Sequence, residues 1–196
     1  MTSPLPRRTV TVFCGSRMGN QPAARAAAEA LGAGLAAAGI GLIYGGGHIG
    51  LMGVVADAVL DGGGHVTGVI PEFLARREVA HDRLSALHVT DSMHSRKRMM
   101  FELSDAFVTM PGGLGTLDET IEIITWRQLG LHNKPVLICD VGGWAGPLLA
   151  ALRASVEQGF AGTDSLELFE ELADVPAVLA RLERVAHRTP AELRRL

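Results

Sequence analysis

Cysteine is nearly missing from this chain of 196 residues, which has only Cys14 and Cys139. Two cannot build a disulfide framework or a four-cysteine zinc site. Each closes a short apolar run, where an unpaired thiol behaves as a small buried hydrophobe, so a reducing, cytoplasmic setting is expected. Lysine is as scarce, with Lys97 and Lys134 alone, and neither is well placed to carry pyridoxal as an aldimine. No metal is expected either: no His, Cys and Asp set has ligand spacing, and His48, His94 and His132 lie scattered along the chain. No apolar run approaches a membrane span, because the alanine-rich stretch at 22–38 is broken by Arg25, Glu29 and glycines. The first eight residues end in Arg7 and Arg8 but lack the apolar core of a secretory leader. A formal charge of -3 and a pI near 6.2 give no clustered positive field, so neither nucleic acid nor a membrane surface is an expected partner.

What the chain has is glycine, 24 residues of it, and 47% hydrophobic content. Short apolar runs alternate with helical stretches. Strands are expected at Val10 to Cys14, Gly41 to Tyr44, Val66 to Ile70, Leu87 to Val89, Ala106 to Met110 and Pro135 to Cys139. Between them, helices are expected at Pro22 to Ala38, Leu51 to Leu60, Met93 to Leu103, after Met110 to about Leu129, and Ala145 to Glu157. Leu166 to Phe169 reads as one more edge strand, and Asp174-Val175-Pro176 as a helix start leading to about Val185. Such alternation implies an α/β fold, a doubly wound parallel sheet flanked by helices on both faces. The length suits a single domain over 1–196, with loose ends at about 1–8 and 188–196.

In open parallel sheets ligands bind beyond the carboxyl ends of the strands, and three such loops here are rich in glycine. They are Gly15-Ser16-Arg17-Met18-Gly19, Gly45-Gly46-Gly47-His48-Ile49-Gly50 and Pro111-Gly112-Gly113-Leu114-Gly115-Thr116-Leu117-Asp118-Glu119. The second is formally a dinucleotide fingerprint, but it follows the second strand, and Pro71-Glu72 stands where a ribose-binding acid is wanted. The third joins a strand to a helix, so its free N–H groups and the helix N-terminus favour a phosphate. Thr116 and Glu119 also fit a capping box, and that reading stays open.

Two helices carry charge in unexpected places. In Ser92-Met93-His94-Ser95-Arg96-Lys97-Arg98-Met99-Met100, the apolar stripe is Met93, Met99, Met100 and Leu103. At about 100° per residue Arg96 falls within that stripe, Lys97 at its edge and Arg98 outside it. A guanidinium facing a core needs an anion, either a carboxylate or a ligand phosphate. In the next helix Leu117, Ile121 and Ile124 make the expected sheet-facing stripe. Glu119, Glu122, Ile123 and Trp126 share the other side, an acidic and apolar face that a second subunit would cover.

The pairing of Ser92-Met93-His94-Ser95-Arg96-Lys97 with the Pro111 to Glu119 loop resembles the signature of the Lonely Guy family, the cytokinin riboside 5′-monophosphate phosphoribohydrolases. Phe13-Cys14-Gly15-Ser16, Tyr44-Gly45-Gly46-Gly47, Gly50-Leu51-Met52-Gly53 and Ile124-Thr125-Trp126 extend the likeness over nearly the whole chain. It implies a Rossmann-like fold, a homodimer, no cofactor, and hydrolysis of the N-glycosidic bond of an adenine-type nucleoside monophosphate to free base and ribose 5-phosphate. The catalytic pair it implies is Arg96 and Glu119. Ligand contacts would fall on Glu78, Lys97, Gly113, Leu114, Gly115, Thr116, Leu117, Asp118 and Thr125, with Ser16, Gly45, Gly46 and Gly47 in the other glycine loops. Asp118 and Leu114 depart from plant members, which often carry glutamate and tyrosine there, and base preference is left open. Related sequences have been labelled lysine decarboxylases, a chemistry the two lysines do not suit. The other reading is a non-catalytic nucleotide or molybdenum-cofactor carrier that uses the same cradle without turnover.

Overall fold

The computed structural model describes residues 6–75 and 81–186. The chain opens with β1 (Thr9–Phe13) and α1 (Pro22–Ala37), then β2 (Gly41–Tyr44), α2 (Gly50–Asp61), β3 (Val66–Pro71) and a single turn, α3 (Glu72–Ala75). It continues through β4 (Ala86–Thr90), α4 (Met93–Leu103), β5 (Ala106–Thr109), α5 (Leu114–Gln128), β6 (Val136–Cys139), α6 (Gly146–Glu157), β7 (Glu170–Leu172) and α7 (Val175–Leu182). All seven strands form one parallel sheet in the order β4-β3-β2-β1-β5-β6-β7.

The strands read as unbroken apolar runs because both sheet faces are covered. Successive side chains alternate between two cores. Val10, Val12, Leu42, Tyr44, Val108 and Leu137 pack with Leu31, Leu35, Val55, Val59, Val178 and Leu182. On the other face Phe13, Ile43, Val69, Phe107 and Ile138 pack with Met100, Leu103, Ile123, Ile124 and Leu149. Thr9 and Thr11 of β1 also point to that face, and their hydroxyls donate to the Leu103 and Met100 carbonyls. They thereby satisfy the orphan acceptors that end α4 and anchor the helix against the central strand.

Strand order reverses between β1 and β5, so the loops leaving these two strands diverge and open a crevice between them. At the far edge, the expected strand at Leu166 to Phe169 is absent. Residues Thr163–Glu167 form a 3-10 turn, Leu168 and Phe169 pack against the core, and the main chain pairs with β6 only from Glu170 onward. Arg181 and Arg153 neutralise Glu170 and Glu171 there, which lets an acidic segment serve as the edge strand. Helix α7 begins as expected, with Asp174 accepting the Ala177 N–H, but ends at Leu182.

Candidate active site

The crevice is held by main-chain bonds. The Gly15 N–H donates to the Pro111 carbonyl at 3.0 Å, and the Gly15 carbonyl accepts the Met52 N–H at 3.2 Å. Gly50 has φ of +73°, and a Cβ there would overlap the Ser16 and Arg17 backbone, so the turn after β2 lies directly on the turn after β1. A cavity of about 560 Å³ opens between residues 15–21, residues 111–114 and Trp144. Its inner end is the N-terminus of α5, whose N-cap is Gly113 with no side-chain cap. Nothing lies within 4 Å of where a side chain would stand on Gly113 or Gly115. Uncapped first-turn N–H groups facing open space form an anion site, reinforced by the helix dipole.

This start at Leu114 overturns the capping-box reading of Thr116 and Glu119. Thr116 is the third helical residue, buried beside Gly112, and Glu119 lies in the second turn, too far along to reach an N-cap. A reciprocal cap does form on α4, between Ser92 and Ser95. It fixes the register that turns Arg96 inward.

Arg96 is 7% exposed. Its Nε donates to the Val69 carbonyl at 3.2 Å, Nη1 lies 3.7 Å from the Met93 sulfur, and Nη2 lies 3.5 Å from Glu119 Oε1. The guanidinium fits only because residue 45 is glycine, since a Cβ there would overlap Nη2. Burial pushes the Glu119 carboxyl up to about 6; Arg96 and Lys97 pull it down, while Asp118 and Glu122 push it further up. Burial works against the Lys97 ammonium, yet hydrogen bonds to Asp118 and Glu122 leave it above its ordinary value. Its Nζ lies 2.6 Å from Asp118 Oδ2 and 3.2 Å from Glu122 Oε2. Burial, and after it the charge of Glu119, holds the Cys14 thiol well above the usual thiol range and so un-ionised at neutral pH.

The residues singled out from sequence fall into distinct places. Ser16, Gly113 and Leu114 line the cavity, and Gly115 is exposed one residue further on. Thr116 lies buried beneath them, its carbonyl accepting the Thr120 hydroxyl. Arg96, Lys97, Asp118 and Glu119 make one charged group that borders the cavity's loops without lining the cavity. Gly45, Gly46 and Gly47 are buried and serve packing around Arg96 rather than an open cradle. Thr125 is exposed, donates to the Ile121 carbonyl and lines neither the cavity nor the charged group. Glu78 lies outside the described residues.

Three readings are corrected. The sheet-facing side of α5 is Thr116, Thr120, Ile123 and Ile124, while Ile121 is exposed and Leu117 partly so. Ile123 and Trp126 are therefore no outer face: Ile123 is core, and Trp126 packs edge-on against Phe101. The histidines are not all scattered, because His48 and His81 converge with Asp57 so that one potential ligand atom of each lies within 4.8 Å of the others. His132 is tied to the Ile123 carbonyl. Sequence reading missed Trp144, although Gly142-Gly143 before it, at the carboxyl end of β6, is the same signal that marked the other three loops.

A parallel sheet that reverses order at its centre, with glycine turns gathered over the reversal, defines a Rossmann-like nucleotide-binding class. Solved structures agree on the fold. The molybdenum cofactor binding protein of Rippkaea orientalis matches with a TM-score of 0.68 at 19% identity, over 90% of this chain and 95% of that one. The molybdenum cofactor carrier protein of Chlamydomonas reinhardtii matches at 0.67 and 21%, over 90% and 96%. Sequence is more specific. Residues 52–182 match the family described as possible lysine decarboxylase. A probable cytokinin riboside 5′-monophosphate phosphoribohydrolase of Oryza sativa subsp. japonica is 47% identical over 90% of this chain and 78% of its own length. A cytokinin riboside 5′-monophosphate phosphoribohydrolase of Arabidopsis thaliana is 42% identical over 91% and 83%. The chain belongs to this phosphoribohydrolase family, the Lonely Guy family.

Proposed function

We propose that the protein hydrolyses the N-glycosidic bond of cytokinin riboside 5′-monophosphates, and of AMP, releasing free base and ribose 5-phosphate. The observation that carries this reading is a buried Arg96–Glu119 pair on the helix whose uncapped N-terminus faces an open cavity. The phosphate binds the N–H groups at Gly113 to Gly115. From there to Glu119 is four to six residues, about 6–9 Å at 1.5 Å per residue, the scale of one ribose. As the bond to the base breaks, positive charge grows at C1′, and the Glu119 carboxylate stabilises it and orients the attacking water. Water oxygen bonds to C1′, and the base leaves with the electron pair and takes up a proton. Arg96 keeps Glu119 ionised and in place. Phosphate binding, remote from the reacting bond, contributes to lowering the barrier.

The reaction asks for charge and proton transfer only, so no cofactor enters this mechanism. We place the protein in the cytoplasm, with both thiols reduced and buried. No helix among the described residues is long and apolar enough to cross a membrane. It acts as a homodimer through the outward side of α5, where Leu117 and Ile121 lie beside the charged group.

The deciding experiment incubates the protein with a cytokinin riboside monophosphate and with AMP, beside the matching nucleosides, and follows free base by chromatography. Base is expected from the monophosphates and far less from the nucleosides. Tight binding of the monophosphates without base release would overturn the hydrolase and favour a carrier.

A further inference from the structure

His48, Asp57 and His81 invite reading as a metal site, but hydrogen bonding excludes it. The Arg83 backbone N–H donates to His81 Nδ1 at 3.2 Å. The ring hydrogen therefore sits on Nε2, which donates to Asp57 Oδ1 at 3.1 Å. A cation would need the Nε2 lone pair, and moving the hydrogen to Nδ1 would set it against a backbone N–H. The Arg83 guanidinium also occupies Asp57, and it lies 2.9 Å from Asp61.

The same bonds describe a clamp, and we propose that His81 is a positioning residue for the hydrolase, holding the turn after β2 against Arg96. The inference rests on the function proposed above. The His81 side chain is fully buried. Its own N–H donates to the Gly46 carbonyl at 3.2 Å, and its ring meets His48 edge-on with centroids 4.7 Å apart. Through Asp57 it is tied to α2, the helix into which that turn runs. The turn between β2 and α2 is thus gripped at Gly46, at His48 and beyond its far end. Gly45, next to the first grip, is in contact with the Arg96 guanidinium. A turn free to drift would let Arg96 shift away from Glu119, while the phosphate cradle on residues 113–116 would be untouched.

The test compares His81→Ala, His81→Gln and His81→Asn by steady-state kinetics and by amide hydrogen exchange in peptides covering residues 44–52, at temperatures where each variant is folded. His81→Ala is expected to speed exchange there and to lower kcat about tenfold or more with KM changed less than about threefold, as for a misplaced catalytic group. His81→Gln, whose amide can still donate to Asp57, is expected to recover most of the loss, and the shorter His81→Asn little of it. Unchanged kcat in His81→Ala, a loss confined to KM, or equal behaviour of Gln and Asn would overturn the proposal. Should the wild-type protein release no base, the hydrolase reading fails separately, and unchanged exchange in His81→Ala would still refute the clamp.

Discussion

Arg96 and Glu119 meet from neighbouring helices at 3.5 Å, close enough for an ion pair but poor for a hydrogen bond. The carboxylate is buried without being fully compensated, which is why its pKa rises to about 6 although two cations face it. A charge held under those conditions is available to a reacting cation.

Glu119→Gln should separate chemistry from folding. Glutamine keeps the size and loses the charge, and turnover should fall by about 10² to 10⁴, the usual scale for a positioned acid or base. Stability should move the other way. A folded pKa above the unfolded value means the native state disfavours the ionised form, so removing the charge should stabilise the protein by on the order of 1–2 kcal/mol at pH 8. Paired kcat and thermal-melt measurements check both, and a large drop in Tm would point to a structural role.

The pH profiles of activity and stability should cross. Turnover needs ionised Glu119 and should decline as pH falls through about 6. Because the folded pKa is raised, this group's contribution to stability is greatest below the unfolded value and is lost as pH climbs through about 6. The acidic limb should disappear in the residual rate of Glu119→Gln.

Arg96→Ala should remove most turnover and raise the pH of the acidic limb, since the first-named opposing charge on Glu119 is gone. The Arg96→Ala, Glu119→Gln double variant should be little slower than the worse single one, because the two act as a unit. Additive losses would separate their roles.

Gly45→Ala changes one methyl group in a position that need not touch substrate. Its Cβ would overlap Arg96 Nη2, so kcat should fall while stability drops by about 1–3 kcal/mol, the range for overpacking. Kinetics together with denaturant titration check this.

Ile121→Arg tests the dimer. The residue is 38% exposed on α5, and a charge there should leave the protomer folded and shift light-scattering mass toward a monomer. An unchanged dimer would move the interface elsewhere.

Helix α4 was legible at both ends from sequence because its cap and its apolar stripe agree. Helix α5 was not, and threonine is the reason. Thr116 and Thr120 count as polar, yet both are buried, with the Thr120 hydroxyl 2.8 Å from that of Thr109 on β5 and donating to the Thr116 carbonyl. A pattern that scores apolar residues alone rotates the helix toward Leu117 and Ile121. The cluster around His81 escaped for another reason, since Asp57 and His81 are 24 positions apart and only the β2–β3–β4 pairing brings them together. Arg96, by contrast, announced itself, because a cation inside an apolar stripe has few explanations.

Gly15 has one further consequence. Its N–H and carbonyl bind the loop after β5 and the start of α2, so one residue of the turn after β1 joins all three glycine turns. The three cannot open independently, and they inherit the stiffness of the central strands. A ligand entering this crevice meets a surface whose conformational freedom was given up during folding, so little ordering remains to be done on binding. Sequence drift in this region should accordingly favour substitutions over insertions, since a longer turn would break the joint and loosen all three walls.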